Sequence, residues 1–165
     1  MAFLHYGSFF LSGGAIVHQL GLTYTAVISR RFLTPEITPP RDIPYWKLVH
    51  KIASSLYCNH VIYNDESPLK AINWLKQKKL LGVALAVREI GQRHKEARFR
   101  FLDKDIYMQY NPARMANIIG APLIPMTIQY DTKDRRHHLF FGHPVRVQND
   151  PISATQELFY YLETL

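Results

Sequence analysis

The run Leu80-Leu-Gly-Val-Ala-Leu-Ala-Val87 narrows the choice of fold more than any other segment. It is continuously apolar and is bracketed by Lys76, Lys78 and Lys79 on one side and Arg88 on the other. Its length falls well short of the roughly 20 residues a membrane-spanning helix needs. It suits a strand buried on both faces, the kind found inside parallel sheets. Such a sheet needs helices on its faces, so the expected class is α/β, with a mostly parallel central sheet flanked by helices.

Apolar periodicity and turn signals extend this into an alternating order. A strand is expected over 2–5, a helix over 8–20 stopped by Gly21, and a strand over 22–29. The four prolines of 32–44 exclude regular helix or central strand there. A helix follows over 45–56, with Trp46, Val49, Ile52 and Ala53 or Leu56 on its apolar stripe, and then a strand over 60–63. Ser67-Pro68 caps and opens a helix through Lys76. The apolar run gives a strand over 81–87, and 99–102 a further short one. Asn111-Pro112 opens a helix ending at Gly120. Strands over 123–129 and 138–141 flank the polar turn 131–136 as an antiparallel pair, and a helix from 152 ends the chain.

At 165 residues and 47% apolar the chain fits one domain over 1–165 with a sizeable core, and disorder is not expected. The N-terminus has no signal-peptide pattern, and Cys58, the lone cysteine, makes no internal disulfide, which fits a cytoplasmic setting. A net charge of +7 favours an anionic partner, whether nucleic acid, an acidic carrier protein or an anionic membrane surface. Nucleic acid is not expected, because the aromatic residues do not interleave with Lys or Arg as they do in single-strand binders.

His5 stands where the first strand gives way to a small-residue turn and a helix, the lip at which ligands of open α/β sheets bind. With its surroundings it forms an ordered set of motifs. These are His5-Tyr6-Gly7-Ser8-Phe9-Phe10 before a helix ending at Gly21, and the strand Val27-Ile28-Ser29 running into Arg30-Arg31. A Trp74-containing helix with a Lys-rich end leads into the apolar strand and Arg88-Glu89-Ile90-Gly91. Then come Phe99-Arg-Phe-Leu102, Ala113-Arg-Met-Ala116 and Gly120-Ala-Pro-Leu-Ile-Pro125. In order and spacing the set resembles the lipid A biosynthesis acyltransferase family, the lauroyl and myristoyl transferases related to phosphatidylinositol mannoside acyltransferases.

The resemblance implies a single acyltransferase-type domain that moves a fatty acyl group from a carrier-protein or coenzyme A thioester to a hydroxyl of a lipid or glycolipid. It places the protein at the cytoplasmic face of the inner membrane, as a peripheral protein with no transmembrane segment in this chain. His5 would be the base, and Arg30 or Arg31 the oxyanion or phosphate contact. Phe10, Ala15, Ile16 and Trp46 become candidates for an acyl-chain wall. Neither a resident cofactor nor a metal is implied; the thioester is a co-substrate. The chain departs from the family at Phe10, where the acid that orients the histidine is expected, and Glu89 is the candidate substitute. Set against the family, whose members carry an N-terminal anchor and a Trp-containing C-terminal segment, the chain is expected to be the catalytic core alone, either a fragment or a reduced homologue.

Plainer readings stand beside these. His5 fits a structural strand-end role, Arg30 and Arg31 fit solvated charges, and Glu89 fits a surface pair with Arg88 or Arg93. Cys58 and His60 lack the third group a cysteine hydrolase needs. His137 and His138 are adjacent and point to opposite faces of a strand, and no cluster has zinc-ligand spacing. Ser12-Gly13-Gly14 is no phosphate loop; its small residues suit close packing of helix on sheet. A catalytically impaired homologue that binds a lipid, an acyl chain or a carrier protein is the alternative to an active enzyme.

Overall fold

The computed structural model describes residues 2–3, 9–58, 60–63, 65–84 and 96–164, with backbone alone for Ala2, Phe3, Phe9, Phe10, Arg31 and Ala84. In chain order the elements are β1 (Ala2–Phe3), α1 (Phe9–His18), β2 (Tyr24–Ile28), α2 (Ile43–Leu56), β3 (Val61–Tyr63), α3 (Pro68–Lys76) and β4 (Leu80–Ala84). There follow β5 (Glu96–Phe101), β6 (Lys104–Gln109), α4 (Asn111–Ile119), β7 (Pro125–Asp131), β8 (Arg136–Phe141) and α5 (Pro151–Thr164). The protein is mixed α/β, in two compact units: residues 10–82, and residues 1–9 with 83–165.

In residues 10–82 a three-stranded parallel sheet places β2 between β3 and the start of β4, with Ala26 opposite both Val61 and Gly82. The central strand is buried at Tyr24, Thr25, Ala26 and Ile28. Side chains alternate across a strand, so both faces of β2 are covered. Gly13 makes this cover possible: a Cβ there would overlap the rings of Tyr57 and Tyr24. Tyr24 and Tyr57 meet edge to face at 5.1 Å, an arrangement aromatic pairs prefer. Ser67 Oγ accepts the Leu69 N–H at 3.3 Å, so α3 opens as expected, with Pro68 in its first turn.

Two expectations need correction here. The proline-rich segment 32–44 is not wholly irregular, because it holds short 3-10 turns at Arg30–Leu33 and Pro40–Asp42 and the first turn of α2. Pro44 is tolerated in that turn, where its missing N–H has no helical acceptor to lose. The inward stripe of α2 is also rotated from the expected one. His50 and Ala53 are the buried positions, while Ile52 is 49% exposed.

In the other unit β1 lies between β4 and β7, parallel to both, with Phe3 opposite Ala84 and Met126. β7 and β8 are antiparallel over six register pairs from Met126–Phe141 to Asp131–Arg136. Helix α5 packs on β5, β7 and α4 and buries Ala154, Thr155, Leu158, Phe159 and Leu162. All of these but Thr155 join Phe99, Ala113, Ala116, Leu123 and Val145 in one apolar cluster, where each large side chain contributes about 1.5–3 kcal/mol by burial. Gly120, at φ 66°, ends α4 in the left-handed conformation as expected. The short strand expected over 99–102 is half of a hairpin, β5 paired antiparallel with β6. The expected mostly parallel sheet is met in part, since the parallel ladders are joined by the antiparallel β7–β8 pair and a separate antiparallel β5–β6 hairpin. Parallel pairing is confined to β1 through β4 and the β1–β7 pair, and residues 4–5 and 85–87 of the expected strands lie outside the described residues.

Candidate functional site

The C-terminal ends of parallel strands are where side chains on following loops converge in α/β sheets. In the unit of residues 1–9 and 83–165 the relevant ends are those of β1 and β4, hydrogen-bonded parallel neighbours with Phe3 opposite Ala84. The described part of β1 runs to Phe3 and that of β4 to Ala84. His5 comes two residues after the first end and Glu89 five after the second. Both lie outside the described residues, as do the rest of 4–8 and 85–95. The described residues nearest to them in the chain, Phe3 and Ala84, are register partners on adjacent strands.

The ends of β2 and β3, in residues 10–82, carry a polar constellation of their own. Arg30 opens the 3-10 turn after β2, and its guanidinium lies 3.9 Å from the Tyr63 ring centroid. The same group reaches Asp65 at 3.5 Å and Glu66 at 3.4 Å. Glu66 also accepts from Lys70 at 3.0 Å and from the Tyr63 N–H at 3.1 Å. The Lys70 hydrogen bond, then that backbone N–H, hold its carboxyl below the usual range. Arg30 is thus paired with carboxylates and an aromatic face. Arg31 shares its turn, and the Arg31 side chain is outside the described residues.

His50 is a residue the sequence reading passed over. It is only 7% exposed, lies parallel to the Tyr63 ring at 6.0 Å, and its Nδ1 has no hydrogen-bond partner among the described residues. Burial pulls its pKa below the ordinary 6.5, so the ring stays neutral. Its position between Val49 and Ala53 on the packed face of α2 was the available signal.

Of the acyl-wall candidates, none of the described side chains lines the cleft beside β3 and α3. Ile16 is fully buried and Ala15 partly so, while Trp46 stacks on Phe32 at 4.6 Å. Phe10 lies in α1, with its side chain outside the described residues. That cleft is open, about 310 Å³ in volume, and lined by Thr25, His60, Val61, Lys70, Asn73 and Trp74 among others. Trp74 is fixed there by its Nε1–H to the Leu80 carbonyl at 2.8 Å, with Lys79 over its ring at 4.5 Å.

Spacing alone also missed the grouping of Asp131, Asp134 and His138, whose ligand-type atoms lie within 4.8 Å of one another at the β7–β8 turn. Asp131 accepts from the Lys133 N–H at 2.7 Å and Asp134 from the Arg136 N–H at 2.9 Å, while His138 Nε2 meets Asp134 at 2.7 Å. These bonds close the turn, with Lys133, Arg135 and Arg136 beside it. Among the described residues no helix is long and apolar enough to cross a membrane.

Comparison with known protein families and with curated proteins gives no match to this chain.

Proposed function

We propose that this chain is an O-acyltransferase core that moves a fatty acyl group from a carrier-protein or coenzyme A thioester to a hydroxyl of a lipid or glycolipid, working peripherally at the cytoplasmic membrane face. The observation that carries the reading is the pairing of β1 with β4, because it makes register partners of Phe3 and Ala84, the described residues nearest in the chain to His5 and Glu89. The ordered motif set from His5 to Pro125 supports it from the sequence side.

In this reading neutral His5 accepts the proton of the acceptor hydroxyl as its oxygen attacks the thioester carbonyl. Glu89 holds the imidazole tautomer and offsets the charge it gains. A cationic group steadies the oxyanion; were it Arg30, the guanidinium would have to leave Asp65 and Glu66. Collapse of the tetrahedral intermediate breaks the carbon–sulfur bond, and the thiolate takes its proton from the His5 imidazolium. The products are an ester and a free thiol, with no oxidant or reductant involved.

One feature favours a second reading, a catalytically impaired homologue that binds a lipid, acyl chain or carrier protein: Phe10 stands where the family's orienting acid belongs. Thiol release from acyl-carrier-protein and acyl-coenzyme A thioesters of several chain lengths, with detergent-dispersed lipid acceptors, separates the two. Turnover that His5→Ala abolishes supports the enzyme. Folded protein with no turnover above that variant removes the enzymatic reading and leaves the binding one.

A further inference from the structure

We infer that helix α2 is an in-plane docking element for an anionic lipid surface. The inference deepens the membrane-surface reading above and rests on it for the choice of occupant. Tyr45, Leu48 and Ile52 fall on successive turns of one helix face and are 62%, 55% and 49% exposed. They form an apolar stripe about 10 Å long at 1.5 Å per residue. His50 on the opposite face, and Ala53 about 100° round from the stripe, are buried and anchor the helix to its own unit. The stripe is therefore mostly uncovered, with Tyr45 meeting the Trp46 ring edge to face at 5.5 Å.

Charge selects the occupant. Lys47 and Lys51 are exposed, one turn apart, and lie on one side of the stripe, about 130° and about 90° round the helix from its centre. Neither makes an ion pair among the described residues. Helix α2 contains no acidic residue, and Asp42, just before it, is 3.7 Å from Arg41. An apolar strip bordered by lysines is the pattern of helices lying at the headgroup boundary, where the lysine stems follow the apolar surface and the ammonium groups reach anionic headgroups. A second copy of the chain fits the same strip poorly. It would set lysines against lysines with no carboxylate between them, on a molecule of net charge +7.

Sedimentation of the intact chain with phosphatidylglycerol–phosphatidylcholine vesicles, against pure phosphatidylcholine, tests the inference. Binding should require phosphatidylglycerol and weaken with added salt. Lys47→Ser with Lys51→Ser should lower it about fivefold for each charge, and Leu48→Ser with Ile52→Ser about tenfold or more, with the circular dichroism spectrum unchanged. Should the second pair unfold the protein, the lysine pair decides alone, since both its positions are exposed. Three results overturn the inference: no vesicle binding by the wild-type chain, vesicle binding that both variant pairs leave intact, or lipid-free self-association that the Leu48/Ile52 pair abolishes. Vesicle binding is read without a thioester and thiol release in detergent without a bilayer, so failure of docking and failure of the acyl-transfer reading appear in different assays.

Discussion

Tyr24 carries its hydroxyl into the core of residues 10–82 and finds no hydrogen-bond partner among the described residues. Burial, and then the neighbouring Tyr57, raise its pKa well above the ordinary value, so it stays protonated. A buried, unpaired hydroxyl costs about 1–3 kcal/mol, and a Cβ on Gly82 would overlap this one. Tyr24→Phe is therefore expected to raise stability by about 1 kcal/mol in urea unfolding. His50 gives a pH signature. Its folded-state pKa is lowered by burial, so its contribution is fully present above 6.5, the ordinary value, and is lost as pH falls towards the depressed one. Thermal midpoints should drop through that window and drop less in His50→Leu; Glu66, also depressed, acts further into acid, below 4.5. The sequence showed Gly13 as a packing residue because small residues inside a helix have few other uses. Nothing in it marked Tyr24 as the ring Gly13 admits, since that contact depends on how α1 crosses β2.

Elements closed by strong local chemistry could be read from the sequence. Ser67-Pro68 and Gly120 each satisfy or release backbone groups at a helix end, so α3 and α4 have the expected starts and stop. The β5–β6 hairpin could not be read, and its turn explains why. Leu102 and Asp103 have φ of 49° and 60°, as a two-residue hairpin turn of the mirror-image kind requires, yet neither is the Asn or Gly that announces such turns. Tertiary contacts hold it instead. Gln156 on α5 bonds both backbone groups of Arg100 at 2.8 Å, and Glu163 accepts the Leu102 N–H at 2.6 Å. Leu102→Asn with Asp103→Gly should relieve the strained backbone and raise stability by about 1–2 kcal/mol, read as a higher denaturation midpoint. The hairpin register should be unchanged by NMR. A loss of stability would mean that the Leu102 side chain, 63% exposed, carries packing its exposure does not suggest.

At the scale of the whole molecule, the strand and helix order apart from β6 was legible because alternating apolar patterns favour an α/β architecture. The antiparallel β7–β8 pair was legible from its polar turn, whereas the β5–β6 pair was not, because no strand was expected at β6. The proposed site rests on motifs along the chain, with His5 and Glu89 outside the described residues, and on the β1–β4 pairing of Phe3 with Ala84. What Arg30 touches was not legible, since Asp65 and Glu66 are 35 and 36 residues away in the chain. Acyl transfer by His5 oriented by Glu89 is the central claim, and a double-mutant cycle tests it most directly. Thiol release by the wild-type chain is compared with that of His5→Ala, Glu89→Gln and the combined variant. Residues acting as one unit are strongly non-additive. The account predicts a fall of about 10²–10⁴ for each single variant, and a combined variant no slower than His5→Ala alone. Effects that multiply, or a Glu89→Gln variant as fast as the wild type, would contradict it.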